Sequence, residues 1–144
     1  MKEVYRREFS EAELPQVVRE LQAWAPQVRR WLLIGPIGAG KTALVRAWVG
    51  PDVTSPTFTY IHYLPGAVHI DLYKLDWAIP SRWAEVYAAL EEAPLVFVEW
   101  ADKLPGPPPP PWVEVQLEPL EGDRRRLTAY LRTAPTALSA ADYQ

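Results

Sequence analysis

An eight-residue segment, Gly35-Pro36-Ile37-Gly38-Ala39-Gly40-Lys41-Thr42, matches the pattern G-x-x-x-x-G-K-[ST] in full. It follows a short apolar run, Trp31–Ile34, and precedes a helical segment, 41–49, that Gly50-Pro51 ends. A glycine-rich turn between a buried strand and a helix presents backbone N–H groups and the positive end of the helix dipole to an anion. The segment therefore predicts an α/β domain with a nucleoside triphosphate site at this loop.

Each residue type in the motif has an expected role. Glycines let the backbone adopt unusual dihedral angles and bring its N–H groups against phosphate oxygens. Lys41 is expected to reach the β- and γ-phosphates, and the Thr42 hydroxyl is expected to bind Mg²⁺. The backbone positions expected to contact the nucleotide are Gly35, Gly38, Ala39 and Gly40. An ordinary glycine-rich turn is the alternative, and the complete match in the right context makes it the weaker one.

Two carboxylates are candidates for the acid that such a site needs to bind Mg²⁺ and orient the attacking water. Glu99 directly follows the apolar run 95–98, and Asp71 follows the run 68–70. In open α/β sheets, ligands bind at the carboxyl ends of the strands. Both acids are therefore predicted as catalytic residues and metal ligands, although a strand-terminal Asp can also simply begin a turn.

Four further features have more than one interpretation. Ser55-Pro56-Thr57-Phe58 begins thirteen residues after Thr42, where a γ-phosphate-sensing loop is common, and Thr57 could contact phosphate or Mg²⁺ or only begin a strand. Trp100 could form a wall of the nucleotide pocket. His62 and His69 lack a third ligand, which argues against a metal site. One arginine of the run 124–126 could contact the nucleotide, or the run could be a solvated strand entry.

The rest of the chain alternates helices and strands. A capping box, Ser10 to Glu13, begins a helix predicted over 11–24, and Ser81 is expected to cap a helix that Pro94 ends. The predicted strands cover 31–34, 57–64, 67–72, 95–98, 113–118 and 126–131. This order predicts a mostly parallel central sheet flanked by helices, with an antiparallel strand-rich C-terminal part. We predict one domain over 1–132 and a flexible tail over 133–144.

Composition excludes several classes of protein. Fifteen Lys and Arg against 18 Asp and Glu give a net charge of −3, which argues against a nucleic-acid coat protein. The chain has no cysteine, so it has neither disulfides nor thiolate metal sites, which suits a cytoplasmic protein. We expect no signal peptide and no membrane span. The proline-rich run 105–111 is predicted to be a stiff surface connector between two strands rather than a ligand for an SH3-type domain.

Four motifs together resemble the TsaE (YjeE) family. They are Gly-Ala-Gly-Lys-Thr at 38–42, Ser-Pro-Thr-Phe-Thr at 55–59, His-Ile-Asp-Leu-Tyr-Lys-Leu at 69–75 and Val-Glu-Trp at 98–100, in the family's order and spacing. The resemblance runs from about Ser10 to Leu131. The chain departs from the family pattern at Pro36-Ile37, where Asp-Leu is usual, and at 76–81.

The resemblance implies a cytoplasmic ATPase of tRNA threonylcarbamoyladenosine biosynthesis, with ATP and Mg²⁺ as cofactors. Its partners would be the paired subunits TsaB and TsaD, with tRNA involved only indirectly. By resemblance, Lys41 and Thr42 bind phosphate and Mg²⁺, and Asp71 and Glu99 are the essential acids. Thr57 then lies in a switch segment and Trp100 beside the nucleotide.

Two other functions remain open from the sequence. A small-molecule kinase could use the same phosphate loop, but such kinases usually add a lid helix bearing several arginines. Here the arginines concentrate in 124–126, on a predicted strand. A non-catalytic, nucleotide-dependent binding module is the third possibility, and Glu99 argues against it.

Overall fold

The computed structural model describes residues 2–50, 60–73 and 80–133. Within these ranges the strands are β1 (Lys2–Phe9), β2 (Arg30–Ile34), β3 (Ile61–Leu64), β4 (Ala67–Asp71), β5 (Val96–Glu99), β6 (Trp112–Pro119) and β7 (Arg125–Arg132). The helices are α1 (Leu14–Trp24), α2 (Lys41–Val49) and α3 (Pro80–Glu92). Two short 3₁₀ turns cover Glu11–Glu13 and Ala101–Lys103.

These strands form one mixed sheet in the order β1-β7-β6-β2-β5-β4-β3. Its centre is parallel, because β2 pairs in parallel with both β5 and β6, and β5 pairs in parallel with β4. The two margins are antiparallel: β6, β7 and β1 form one, and the β3–β4 hairpin forms the other. The predicted α/β class, with its parallel centre and antiparallel C-terminal part, is confirmed.

Helices cover both faces of the parallel centre. On one face, residues of α1 and α2, such as Leu21 and Leu44, pack on Trp31 of β2 and Phe97 of β5. On the other face, α3 packs through buried side chains such as Leu90 on the neighbouring positions of β2, β4 and β5. Strand β5 is buried along its whole length, which explains its uninterrupted apolar sequence.

Most predicted elements are confirmed, with some corrections. Strand β1 was not predicted at all. Helix α3 begins at Pro80, so Ser81 lies inside its first turn and the prediction that Ser81 caps it is wrong; proline's fixed φ suits the first helical position. Strand β3 begins at Ile61, and the earlier part of the predicted strand, 57–59, lies outside the described residues, as does 134–144 of the predicted tail.

The proline-rich run connects β5 and β6 over the surface, as predicted. Gly106 fixes it to α3, because the Tyr87 hydroxyl donates to the Gly106 carbonyl at 2.7 Å and accepts from the Gly106 N–H at 3.1 Å. The buried Arg30 side chain at the start of β2 donates to the Leu90 carbonyl at 2.5 Å.

In the part of the chain that is described, no helix has the length and apolar character to cross a membrane.

Candidate active site

The motif loop, residues 35–42, joins the carboxyl end of β2 to the N-terminus of α2. Beside it the neighbouring parallel strands β5 and β4 end at Glu99 and Asp71, which are paired in register. Because parallel strands end at the same edge of the sheet, the loop and both acids surround one cavity of about 350 Å³. The described residues that line this cavity are Ile37, Gly38, Gly40, Lys41, Thr42, Ala43, Asp71, Tyr73, Glu99 and Trp100.

The glycines of the loop meet different requirements. Gly38 and Gly40 have φ of 82° and 99°, and Gly40 is the residue that precedes α2, so a side chain there would be strained. Gly35 has no positive φ, contrary to the role expected for it. A Cβ on Gly35 would lie 2.6 Å from the Leu117 carbonyl oxygen of β6, so this position needs glycine because the backbones approach closely.

Ala39 lies on the core side of the loop. Its side chain is fully buried, and its N–H donates to the Pro36 carbonyl at 3.0 Å. Ala39 therefore helps to close the loop, whereas Gly38 and Gly40 on either side of it line the cavity.

The Lys41 side chain is folded back over the loop. Its Nζ donates to the Gly35 carbonyl at 2.5 Å and to the Pro36 carbonyl at 3.0 Å, and it lies 4.2 Å from the centre of the Trp100 ring. Burial lowers the Lys41 pKa below its ordinary value, and the nearby carboxylates of Glu99 and Asp71 act in the opposite direction. The ammonium group is thus held inside the site by two neutral carbonyl oxygens. Phosphate oxygens would form stronger, charge-assisted hydrogen bonds with it and could replace them.

Thr42 and Glu99 are in direct contact. The Thr42 hydroxyl lies 2.9 and 2.8 Å from the two oxygens of the Glu99 carboxylate, so it donates to that group. A hydroxyl and a carboxylate oxygen are the ligand types that Mg²⁺ prefers, and Mg²⁺ commonly binds through one or two such groups plus phosphates. Among the described residues, no three His, Asp or Glu side chains are grouped so that they could hold a metal ion.

Asp71 lies at the side of the cavity. The Tyr73 N–H donates to its Oδ1 at 2.9 Å, which orients the carboxylate. Burial raises the Asp71 pKa above its ordinary value, and the neighbouring Glu99 adds to that rise, while the Tyr73 hydrogen bond opposes it.

Trp100 forms a wall of the cavity, where the sequence places it. Its φ of 58° is in the left-handed region, which is unusual for a residue other than glycine. The ring packs on Tyr73 with centroids 4.8 Å apart and covers the Lys41 ammonium group. The other candidate, Thr57, lies outside the described residues.

Sequence reasoning missed His69. This residue is completely buried on β4, and its Nε2 lies 2.5 Å from Oε2 of Glu99. A signal was present, because His69 is two residues before Asp71 on the same strand and must share its face of the sheet. Its contact with Glu99 also required knowing that β4 and β5 are neighbours.

The structure separates the three arginines of 124–126. Arg124 lies 4.0 Å and Arg126 3.4 Å from Glu8, on the surface of the antiparallel margin. The Arg125 side chain is directed at the loop, with Nε 3.8 Å from where a Cβ on Gly40 would be. It lines a smaller recess of about 110 Å³ on the other side of the loop, together with Phe9, Glu11, Leu14, Ala39, Gly40, Ala43 and Asp123.

Comparison with known proteins identifies the fold and the family. The structure matches the crystal structure of YdiB from Bacillus subtilis with a TM-score of 0.65 and 21% identity, over 91% of this chain and 87% of YdiB, which shows a shared fold. A TsaE protein of Rickettsia conorii, described as a tRNA threonylcarbamoyladenosine biosynthesis protein, is 32% identical over 107 residues. That match covers 65% of this chain and 59% of the Rickettsia protein. The family model for threonylcarbamoyl adenosine biosynthesis protein TsaE matches residues 9–127, and the chain therefore belongs to the TsaE family of tRNA threonylcarbamoyladenosine biosynthesis.

Proposed function

We propose that this chain binds and hydrolyses ATP with Mg²⁺, and that it does so as a component of the tRNA threonylcarbamoyladenosine modification system. The observation that carries the proposal is the contact between the Thr42 hydroxyl and the Glu99 carboxylate, at 2.8 and 2.9 Å, beside the glycine loop. A turn or a structural loop has no need to bring a hydroxyl and a buried carboxylate together in the lining of a cavity.

The phosphates would bind in the cavity of about 350 Å³ at the N-terminus of α2. Lys41 would exchange the two carbonyl oxygens that it now contacts for phosphate oxygens, which form stronger, charge-assisted hydrogen bonds. Thr42 and Glu99 would hold Mg²⁺, which supplies a positive charge against the phosphate oxygens.

The nucleoside part would lie in the recess on the other side of the loop. Phe9 and Leu14 give that recess an apolar wall, and Arg125 gives it a cation next to Gly40. Of the three adjacent arginines, Arg125 is the one whose position suits a nucleotide contact.

Hydrolysis requires a group that orients water toward the γ-phosphate. Glu99 is buried and held by hydrogen bonds on two sides, so its carboxylate keeps one orientation. Asp71 lies opposite Glu99 in the sheet register and faces the same cavity. We assign Glu99 to water orientation and metal binding, and Asp71 to supporting both.

Glu99→Gln and Lys41→Ala test this function together. Glu99→Gln should retain ATP binding and lower hydrolysis by at least ~10²-fold, because it keeps the shape and removes the charge. Lys41→Ala should weaken ATP binding by roughly 1.5–3 kcal/mol, because it removes a charge-assisted contact. Calorimetric titration and phosphate release measure the two quantities.

Glu118→Gln is the matched control, because Glu118 is exposed near the end of β6 and lies outside both cavities. It should behave as the unmodified protein does. Unchanged ATP affinity in Lys41→Ala would show that the loop is not the nucleotide site. Transfer of the γ-phosphoryl group to an acceptor other than water would instead identify a kinase.

A further inference from the structure

The Glu99 carboxylate is held from two sides by groups on different elements. Thr42 of α2 contacts both of its oxygens, and His69 of β4 contacts Oε2 at 2.5 Å. His69 is fully buried and Glu99 is 3% exposed, so solvent does not take the place of either partner. His69 is not among the described residues that line the cavity, and the lining residue to which it hydrogen-bonds is Glu99.

The hydrogen-bond partners of the two imidazole nitrogens favour one tautomer of His69. An ionised carboxylate only accepts, so the hydrogen lies on Nε2 and is donated to Glu99. The other nitrogen, Nδ1, is buried and has no hydrogen-bond partner in the described part of the chain. A hydrogen on Nδ1 would be a buried donor without an acceptor, which is costly, and this favours the same tautomer.

We infer that His69 is a positioning residue: it donates from Nε2 to Glu99 and keeps that carboxylate turned toward Thr42, ready to accept Mg²⁺. Without His69, Thr42 would be the remaining side-chain hydrogen-bond partner of the Glu99 carboxylate among the described residues. The carboxylate could then rotate about the Glu99 side-chain bonds. The role of Mg²⁺ in this inference rests on the proposed function, whereas the hydrogen bond between His69 and Glu99 is independent of it. Outer hydrogen bonds of this kind set the orientation of metal-binding groups in many proteins.

The test compares His69→Leu, which removes the donor, with His69→Gln, whose side-chain amide can donate from a similar position. His62→Leu is the matched control, because His62 lies opposite His69 on β3 and packs edge-to-face on it, at a centroid distance of 6.4 Å. Each variant is titrated with ATP in EDTA and in Mg²⁺, and the Mg²⁺ dependence of phosphate release is measured. Thermal unfolding monitors the fold of each variant.

His69→Leu should bind ATP in EDTA as the unmodified protein does, while the Mg²⁺ concentration for half-maximal hydrolysis rises about 10- to 100-fold. His69→Gln should recover most of this loss, and His62→Leu should show none of it. Equal impairment of His69→Gln and His69→Leu would overturn the inference, because a packing role gives that result. The inference would also be overturned if His69→Leu needed no more Mg²⁺ for half-maximal hydrolysis than the unmodified protein does. The same holds if His62→Leu raised that Mg²⁺ concentration as much as His69→Leu.

A second readout needs neither nucleotide nor metal. A long-range ¹H–¹⁵N spectrum of the nucleotide-free protein should place the hydrogen of His69 on Nε2, and Glu99→Gln should shift that signal because the acceptor loses its charge. A hydrogen on Nδ1, or an unchanged signal in Glu99→Gln, would overturn the inference even in an active protein. A protein that shows the Nε2 signal but binds no ATP would refute the proposed function and leave the positioning contact standing.

Discussion

Burial shifts the pKa values of two charged side chains in the cavity toward their neutral forms. It lowers the pKa of Lys41 and raises that of Asp71. Each ionised group is therefore less stable in the folded protein than in water. A phosphate beside Lys41 and Mg²⁺ near the acids would offset that cost, so the site is expected to lower stability when it holds no ligand.

Asp71→Asn should stabilise the ligand-free protein. Asn keeps the oxygen that accepts from the Tyr73 N–H and removes the charge of this half-buried side chain. Because folding raises the Asp71 pKa, the native state binds that proton more tightly, and the contribution of Asp71 to the free energy of unfolding falls as pH rises above its ordinary pKa of 3.8. The gain should thus be larger at pH 7 than at pH 4 and amount to about 0.5–2 kcal/mol at pH 7. Urea unfolding at the two pH values measures it.

Asp102→Asn is the control, since Asp102 is an exposed carboxylate close to the same site. It should change stability little. Destabilisation of Asp71→Asn at pH 7 would show that the charge of Asp71 is compensated in the fold.

The sequence pointed to four side chains that the structure brings together at one cavity. Lys41, Thr42, Asp71 and Glu99 were located because each ends or begins an element whose sequence is distinctive. His69 was not, because its place on the same strand face as Asp71 does not show what it contacts, and its contact with Glu99 depends on the order of the strands. The choice of Arg125 among its neighbours likewise required the position of β7 beside the loop.

At the scale of elements, the glycine loop depends on β6 as well as on β2 and α2. A Cβ on Gly35 would meet the Leu117 carbonyl oxygen at 2.6 Å and the Ala39 Cβ at 3.1 Å. The oxygen belongs to the backbone of β6, which pairs with β2 up to Gln116 and with β7 at Leu117 itself, so it cannot rotate away. Strand β6 therefore sets where the loop can lie.

Gly35→Ala should destabilise the protein by about 1–3 kcal/mol through overpacking and should also weaken nucleotide binding, because the loop must shift. Gly106→Ala is the matched control, since a Cβ on Gly106 would meet nothing within 4 Å and its φ is not positive. Urea unfolding and ATP titration measure the two effects. Equal stability of the two variants would mean that the loop adjusts without cost.

Strand β1 shows why one element could not be predicted. Tyr5 and Phe9 lie on the inner side of the strand and Val4 lies outside, but the inner position between them is Arg7, a charged residue. Arg7 is accommodated because it pairs with Glu20 of α1 at 3.1 Å. The charged Arg7 thus interrupts the alternation of apolar and polar residues that predicts a strand. The ion pair with Glu20 that accommodates it is a tertiary contact, which the sequence does not show.

On the scale of the whole molecule, the cavity carries little positive charge. Among its described lining residues Lys41 is the one cation, and it faces the two acids Asp71 and Glu99. Hydrolysis of a triphosphate requires further positive charge as the γ-phosphoryl group transfers, which other nucleotide hydrolases take from an arginine of a partner protein. The mouth of the cavity also exposes apolar surface, because Ile37 is 73% and Tyr73 43% accessible.

These features lead to the last prediction, that the proposed partners complete the site. The protein alone should hydrolyse ATP slowly. Addition of the TsaB–TsaD pair, the partners that the family resemblance implies, should raise turnover by at least ~10²-fold, since one arginine in trans contributes roughly 10³–10⁵. Ile37→Ser should lose most of this stimulation because it removes apolar contact surface at the mouth. Val4→Ser, at a 51% exposed position on the far edge strand, should keep it. Equal turnover with and without the pair would refute partner dependence, because the site would then supply all the charge that its chemistry needs.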